Sequence, residues 1–448
     1  MKFYDRETEI ERLMNIHGQS FENAQMTFVV GRRRIGKTML LLRAMGQENT
    51  LYFFVARKAE ELLCGDFERE IEEKLKVPIL GKSRSFAQLF EFLMKLSQTQ
   101  QVNIIIDEFQ EFYNINPSIY SEIQHYWDLY HNGSRMNLLL CGSVFSLICR
   151  IFENQKEPLF GRATAQMHVH PFKLDVLQHI LGDFNPDYQP EDLLALYIFT
   201  GGVPKYIQLL MDNQAYTFDE MLNFIVREDS PFLNEGKNML IGEFGKEYGL
   251  YFSILSSISE GRTSRGEIEA ELNREIGGYL TRLEKDFNLI QKTIPIFSHS
   301  LTKNMRYQIA DNFLSFWFRF IYKYDSFLQI GQYENLRNLI KRDYKTFSGH
   351  FLEKYFRQQL QESGSYTKIG GFWDRKGTTE IDIVALNELS KQLVFAEVKR
   401  TAEHIKINVL KEKASLLLAQ FPQYADYQIE YQTLSLEDLP TGGGVFAN

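Results

Sequence analysis

The chain has 448 residues, 44% hydrophobic and 24% charged, which is ordinary globular usage and excludes disordered and fibrous classes. Its net charge of -8 excludes a globally basic nucleic-acid coat, so any polyanion contact has to come from local patches. Three cysteines, Cys64, Cys141 and Cys149, are too few and too scattered for a disulfide framework or a zinc site.

The opening Met1-Lys2-Phe3-Tyr4-Asp5-Arg6-Glu7 is charged at once and lacks the apolar core of a signal peptide. No apolar run approaches the roughly 18 residues of a spanning helix. The expectation is a cytoplasmic protein with no membrane partner. From Met26 to Lys173, short runs of β-formers alternate with longer helical patterns. Met26-Thr27-Phe28-Val29-Val30, Leu51-Tyr52-Phe53-Phe54-Val55, Val102-Asn103-Ile104-Ile105-Ile106, Asn137-Leu138-Leu139-Leu140-Cys141 and Gln166-Met167-His168-Val169-His170 read as strands. Unbroken apolar strands separated by helices predict a parallel sheet covered on both faces.

Residues 174–243 turn helical, broken at Thr200-Gly201-Gly202-Val203-Pro204 by its punctuators. The next stretch reads as three helices, Tyr251–Ile258, Ser264–Leu272 and Ile276–Phe287, the second opened by a capping box from Ser264 to Glu267. Leu289–Lys292 and Arg306–Ile309 then fit a two-stranded wing. Phe313, Phe316, Trp317, Phe318 and Phe320 fall at mostly helical spacing, which reads as core rather than a base-stacking platform. No internal repeat occurs, and the only low-complexity tract is Gly442-Gly443-Gly444. The expected domains are 1–173, 174–243 as a helical lid, 244–344 as winged helix and bridge, and 345–448 as a small α/β domain.

After the first strand, Gly31-Arg32-Arg33-Arg34-Ile35-Gly36-Lys37-Thr38 matches GxxxxGK[ST] in full. The chemistry needs this spacing. Glycines let the backbone wrap phosphates and aim N–H groups at them, Lys37 reaches the β- and γ-phosphates, and the Thr38 hydroxyl can ligate Mg²⁺. The helix beginning near Met39 adds its positive N-terminus. Asp107 and Glu108 close a later apolar strand. Asp107 suits a Walker B ligand to hydrated Mg²⁺, and Glu108 suits polarisation of the attacking water. Ser143 closes the next strand, where it could sense the γ-phosphate. Arg162 could reach the γ-phosphate of its own or a neighbouring subunit's nucleotide.

Phe3-Tyr4-Asp5-Arg6-Glu7-Thr8-Glu9-Ile10, Gly31–Thr38, Ile104-Ile105-Ile106-Asp107-Glu108-Phe109-Gln110, Cys141-Gly142-Ser143, Pro158–Arg162 and Gly201–Tyr206 together resemble the archaeal-type AAA/STAND ATPases of archaea and bacteria. The resemblance runs nearly the whole chain. It implies a P-loop NTPase core with a helical lid, followed by a winged helix. In one subgroup a small restriction-endonuclease-like α/β domain related to PD-(D/E)xK nucleases comes last. It also implies that Phe3 to Arg6 lie near the adenine, and that Arg306 to Phe318 is the bridge to the last domain.

The last domain has its own constellation. Glu380-Ile381-Asp382-Ile383-Val384-Ala385 and Leu393-Val394-Phe395-Ala396-Glu397-Val398-Lys399 read as strands, so Glu397 and Lys399 share one face. Asp382 on the neighbouring strand could meet Glu397 around one Mg²⁺, with Lys399 orienting water or stabilising developing charge. Glu353, on a preceding helix, is the natural extra carboxylate. These positions match the D…ExK pattern and upstream acid of the nuclease family. The competing reading is an exposed strand that alternates Glu, Val and Lys for solubility. Residues 331–411 carry fourteen Lys/Arg against ten Asp/Glu, a local excess that suits a polyanion.

Arg274, Tyr279, Arg282 and Lys285 lie on or near the third helix of the winged module, where they could contact DNA or be solvated beside a module packed as a lid. The sequence therefore supports an ATP-binding, ATP-hydrolysing switch of α/β class that uses ATP and Mg²⁺, with DNA as a possible partner and homo-oligomerisation possible. Its last domain is either a Mg²⁺-dependent nuclease or a catalytically silent docking module under ATP control.

Overall fold

The apolar runs of the N-terminal third pair as parallel strands because each is too hydrophobic to expose either face. In a computed structural model of the chain, described for residues 1–46, 49–79, 81, 83–298, 304–374 and 378–442, two units separate. One is Tyr4–Pro171; the other is Phe172–Asn448 joined by Met1–Phe3.

The Tyr4–Pro171 unit runs α1 (Glu7–Gln19), β1 (Gln25–Val30), α2 (Lys37–Met45), β2 (Thr50–Phe54), α3 (Glu60–Leu75), α4 (Phe86–Leu96), β3 (Val102–Asp107), α5 (Phe112–Ile115), α6 (Ile119–Tyr130), β4 (Met136–Cys141), α7 (Phe145–Glu153) and β5 (Ala165–His168). Its sheet has the order β2-β3-β4-β1-β5 with every pair parallel. Every residue of β3 and β4 is buried, whereas the edge strands β2 and β5 are partly open. Aromatic contacts tie helices to the sheet, as where Phe28 stacks on Phe152 at 4.5 Å and Phe53 on Phe67 at 4.4 Å. Each such ring contributes about 1.5–3 kcal/mol by burial. The strand order sets the carboxyl ends of β1, β4 and β3 side by side, the usual place for a ligand in an open α/β sheet.

The second unit begins with α8 (Leu174–Phe184), α9 (Pro190–Thr200), α10 (Pro204–Asp212), α11 (Phe218–Ile225) and α12 (Pro231–Phe244). Next come α13 (Tyr248–Ser259), α14 (Arg265–Leu272), α15 (Gly277–Lys285) and the antiparallel pair β6 (Ile290–Thr293) and β7 (Arg306–Ile309), the arrangement of a winged helix. The Ser264–Glu267 capping box opens α14 as its spacing predicts. After α16 (Asn312–Phe316) a π-helical turn spans Trp317–Tyr322, followed by α17 (Asp325–Gln329) and α18 (Tyr333–Glu362). Phe313, Phe316, Phe318 and Phe320 are fully buried, so the aromatic stripe is core. Gly236 lies against the Trp317 ring, where a Cβ would collide with it.

The chain ends with β8 (Lys368–Trp373), β9 (Glu380–Asn387), β10 (Gln392–Val398), α19 (Ile407–Gln420) and β11 (Gln428–Leu434). These four strands form a mixed sheet in the order β11-β10-β9-β8, with β11 parallel to β10 and the other pairs antiparallel.

Three features differ from the sequence expectation. The boundary expected at 344/345 falls inside α18, a single 30-residue helix. Its buried residues recur along both halves, from Leu336 to Tyr344 and from Ser348 to Phe356, so no break in packing separates them. The C-terminal sheet has two strands more than its apolar runs suggest. β8 carries Gly370 and Gly371, and β11 is a half-exposed edge of alternating polar residues. Residues 1–3 group with the second unit rather than with the core, through Met1 N to Asp212 Oδ1 at 2.6 Å and Lys2 Nζ to Asp183 Oδ2 at 2.7 Å. Gly443 and Gly444 lie outside the described residues. No described helix is long and apolar enough to cross a membrane.

Candidate nucleotide site and candidate carboxylate site

The loop from β1 to α2 turns on two glycines. Gly31 lies so close to Val169 O that a Cβ would meet it at 2.7 Å, and Gly36, the residue before α2, has φ +91°. Arg34 also takes positive φ, 68°. Ile35 is buried at 1% exposure, which anchors the loop, while the Met39 side chain is 62% exposed. Arg32 and Arg34 are half-buried and Arg33 is exposed. Lys37 Nζ donates to Gly31 O at 2.7 Å and Arg32 O at 3.0 Å, so the ammonium lies within the loop's own cradle.

Thr38 Oγ1 donates to Asp107 Oδ2 at 2.6 Å, joining the start of α2 to the end of β3 across the sheet. Tyr52 Oη on β2 donates to the same oxygen at 3.0 Å. Cys141 Sγ, from β4, donates to Asp107 Oδ1 at 3.2 Å, and Glu108 N donates to it at 2.9 Å. Asp107 is thereby held from β2, from β4 and from the start of α2. Burial pushes the Tyr52 hydroxyl and the Cys141 thiol well above their ordinary pKa values, and the Asp107 carboxylate adds to both shifts. Both therefore remain protonated donors. In the sequence neither Tyr52 nor Cys141 carries a role of its own, although Cys141 opens the Cys141-Gly142-Ser143 motif; the available signal is a hydroxyl and a thiol within otherwise apolar strands.

Glu108 follows with φ +56°, a left-handed turn that swings its side chain toward β4. Its Oε2 accepts from Ser143 Oγ at 2.7 Å, from Ser143 N at 3.3 Å and from Gln110 Nε2. Gln110 is fully buried and its Oε1 has no hydrogen-bond partner. Gly142 carries no side chain because Gln110 occupies that space.

Two other expected ligands, Arg162 and Arg6, have partners within the protein. Arg162 is paired with Asp128 through Nη2 to Oδ2 at 3.1 Å and donates to Phe160 O at 3.0 Å. Arg6 is buried, pairs with Glu9 at 2.8 Å and donates to His170 O at 2.6 Å, fixing the start of α1. Phe3 belongs to the second unit.

In the C-terminal sheet, β9 and β10 pair as far as Ile383 and Ala396 and then part. Asp382 and Glu397 are the next residues on each strand. Asp382 Oδ2 accepts from Val398 N at 2.8 Å, replacing a lost ladder partner, and from Lys399 Nζ at 3.0 Å. Lys399 Nζ also pairs with Glu397 Oε1 at 3.0 Å, so one ammonium bridges both carboxylates. Lys413 of α19 approaches Glu397 Oε2 at 3.3 Å, a partner that the strand motif could not reveal. Burial alone would lower the Lys399 pKa; Asp382 and Glu397 outweigh it and hold the ammonium above its ordinary value. Burial, then the nearby Glu397 charge, raises Asp382, against the Val398 N–H and Lys399.

Glu353, half-buried on α18, is raised to about 8 by burial and by the Asp382 charge. It is close enough to feel Asp382, yet no group of three or more His, Cys, Asp or Glu side chains positioned to hold a metal occurs among the described residues. Arg357, one turn beyond, donates through Nη2 to Asp382 O at 2.9 Å.

In the winged module, Arg282 pairs with Glu247 at 3.0 Å and lies over the Tyr251 ring at 5.6 Å. Arg274 lies 5.7 Å from the Tyr279 ring centre. Arg274 and Lys285 are exposed.

A glycine-built phosphate loop feeding a helix, with a threonine and an aspartate joined across a parallel sheet, defines a P-loop ATPase. Residues 3–210 match the ATPase domain family predominantly from Archaea, and residues 317–413 match a family of archaeal and bacterial proteins of unknown function. An uncharacterized protein of Methanocaldococcus jannaschii is 30% identical over 410 residues, covering 89% of this chain and 87% of its own. The chain belongs to one family with that protein, and its residues 3–210 are an archaeal-type ATPase domain.

Among solved structures, the Walker-type ATPase of Pyrococcus abyssi is similar with TM-score 0.54 at 20% identity, covering 71% of this chain and 96% of that one. The ORC2 protein of Aeropyrum pernix, in ADPNP and ADP complexes, is similar with TM-score 0.47 at 13% identity over 76% and 96% of the two chains.

Proposed function

We propose that the chain is an ATP-driven switch whose nucleotide state governs a Mg²⁺-dependent, nuclease-like site acting on DNA. The observation that carries the first half is the 2.6 Å bond between Thr38 Oγ1 and Asp107 Oδ2. These are adjacent hard oxygen donors of the kind Mg²⁺ takes, so the residues fit the ion. Bound there, Mg²⁺ would neutralise charge on the phosphates. Lys37 binds the β- and γ-phosphates together with the loop N–H groups from Gly31 to Thr38. Glu108 orients and deprotonates the attacking water once Ser143 and Gln110 release it. Ser143 then turns to the γ-phosphate. Arg162 would join a phosphate site, its own or a neighbouring copy's, only after its Asp128 pair opens.

For the second half, Asp382 and Glu397 lie where β9 and β10 part, both within 3.0 Å of one ammonium. Two carboxylates that share one cation fit a divalent ion when Lys399 withdraws, and such an ion would polarise a phosphodiester. Glu353 supplies an outer carboxylate, and Lys399 is then free to orient water. The Lys399 bridge also favours a second reading, in which the ammonium fills the metal's place permanently. The domain is then a catalytically silent DNA- or protein-docking module under ATP control. In either case we assign the protein to the cytoplasm, with self-association possible.

The test is cleavage of plasmid and single-stranded DNA by the purified full chain with Mg²⁺ or Mn²⁺, with and without ATP, beside Glu397→Ala. Cleavage that the variant loses supports the nuclease. ATP turnover without any cleavage supports docking.

A further inference from the structure

A cavity of about 470 Å³ opens beside the C-terminal carboxylates, lined in part by Glu353 and Asp382. Its floor is Glu353 and Arg357 of α18 with Asp382 of β9; its opposite wall is the wing, with Arg306 projecting from β7. The wing is fastened across it. Arg306 Nη1 pairs with Glu380 Oε1 at 2.6 Å, and the guanidinium lies 4.4 Å from the Trp373 ring centre. Trp373 Nε1 donates to Asn304 Oδ1 at 3.1 Å, while Ile296 N donates to Gly371 O at 2.8 Å, so both flanks of the wing are tied to β8. On the floor, Arg357 Nη2 holds Asp382 O, and Arg357 Nε is buried with no hydrogen-bond partner, a donor of the sort that meets a phosphate oxygen.

We propose that this cavity is the way in to the Asp382–Glu397 site and that the pinned wing makes it selective for an unpaired DNA strand. The inference rests on the nuclease-like reading above and gives that site its substrate class. The volume is that of a pocket for one small ligand, enough for a single extruded nucleotide. A duplex keeps its bases stacked, and its major groove alone is about 12 Å wide. It cannot bring a backbone phosphate to Asp382 unless the wing leaves β8. A strand end or a displaced strand threads one nucleotide at a time, its phosphate reaching Arg357.

The experiment measures binding of a labelled single-stranded oligonucleotide and a blunt duplex of the same sequence to the full chain in EDTA, by fluorescence anisotropy. Arg306→Ala and Glu380→Gln each remove the latch, the second without truncating a side chain, and Lys237→Ala, at an exposed residue of α12 outside the cavity lining, serves as a control. The expected result is an affinity about tenfold or more higher for the single strand. Both latch variants should narrow that preference to about threefold or less by gaining duplex affinity, while Lys237→Ala leaves it in place. Equal wild-type affinity for the two DNAs overturns the inference, and so does a preference that both latch variants retain. Cleavage assays with Mg²⁺ or Mn²⁺ on the same DNAs separate the two ideas. A latch-dependent preference without cleavage refutes the nuclease and leaves the strand selectivity standing.

Discussion

The Ser143 hydroxyl donates to Glu108 Oε2 at 2.7 Å, so the residue after β4 holds the carboxylate that follows β3. Gln110 grips the same oxygen. Glu108 is consequently engaged by its own neighbours, and its availability to water depends on where Ser143 points. On the proposed reading, a γ-phosphate that draws the Ser143 hydroxyl away removes one of the two side-chain donors on this oxygen, and Gln110 has to release the other.

Glu108→Gln keeps the shape and removes the base. General-base contributions run at about 10²–10⁴-fold, so turnover should fall by that factor while ATP affinity stays within about threefold. Filter binding of labelled ATP beside a steady-state assay reads both quantities. Unchanged turnover removes Glu108 from its role.

Lys37→Ala deletes the ammonium cradled by Gly31 O and Arg32 O. Charge-assisted bonds to phosphate contribute roughly 1.5–3 kcal/mol each, so ATP affinity should drop about a hundredfold or more. Calorimetric titration measures it, and retained tight binding would overturn the phosphate-loop assignment.

Tyr52→Phe removes one of the donors on Asp107 Oδ2 and adds no bulk. One bond to a charged acceptor is worth about 1.5–3 kcal/mol in a dry setting. The expected outcome is a kcat lower by about tenfold, with more Mg²⁺ needed for half-maximal rate and metal-free ATP binding unchanged. A Mg²⁺ dependence identical to that of the unaltered protein speaks against a role for Tyr52 in holding Asp107.

Glu111 is buried beneath Arg57, which donates to it through Nε at 2.8 Å and Nη2 at 2.9 Å. Those bonds hold Glu111 below its ordinary value of 4.5, against the opposing effect of burial. With the native pKa depressed, the unfolded chain binds more protons at low pH. The stabilisation is therefore full above about 4.5 and is lost as pH falls through the lower folded value. Arg57 is mostly exposed, which limits the pair to about 1 kcal/mol. Glu111→Gln should lower the melting temperature of the first unit by a few degrees at neutral pH, and the gap should close as the buffer is acidified below 4.5. A gap constant with pH excludes the ion pair as its source.

The phosphate loop was legible because GxxxxGK[ST] is a local device: its glycines, lysine and threonine act within eight consecutive positions, and the flanking strand and helix follow from apolar period alone. The parallel sheet, the Ser264–Glu267 cap and the buried aromatic stripe were equally local in origin. Asp107 and Glu108 were visible as acids at a strand end, but their partners were not. Tyr52 carries no motif, Cys141 and Gln110 lay within motifs without a role of their own, and only the strand order β2-β3-β4-β1 brings Tyr52 and Cys141 to Asp107.

The C-terminal domain divides the same way. Asp382, Glu397 and Lys399 could be named from alternation along two strands, since side chains two apart share a face. Whether they meet depended on register and on where β9 and β10 part, which is set by pairing between residues far apart in sequence. Arg162 stood near a motif and yet turned to Asp128; Lys413 had no motif and reached Glu397. Composition and spacing determined the local elements and the phosphate chemistry. Tertiary packing alone decided which charges pair, which carboxylates are held, and that the wing is tied to β8, because those depend on contacts that no short stretch of chain encodes.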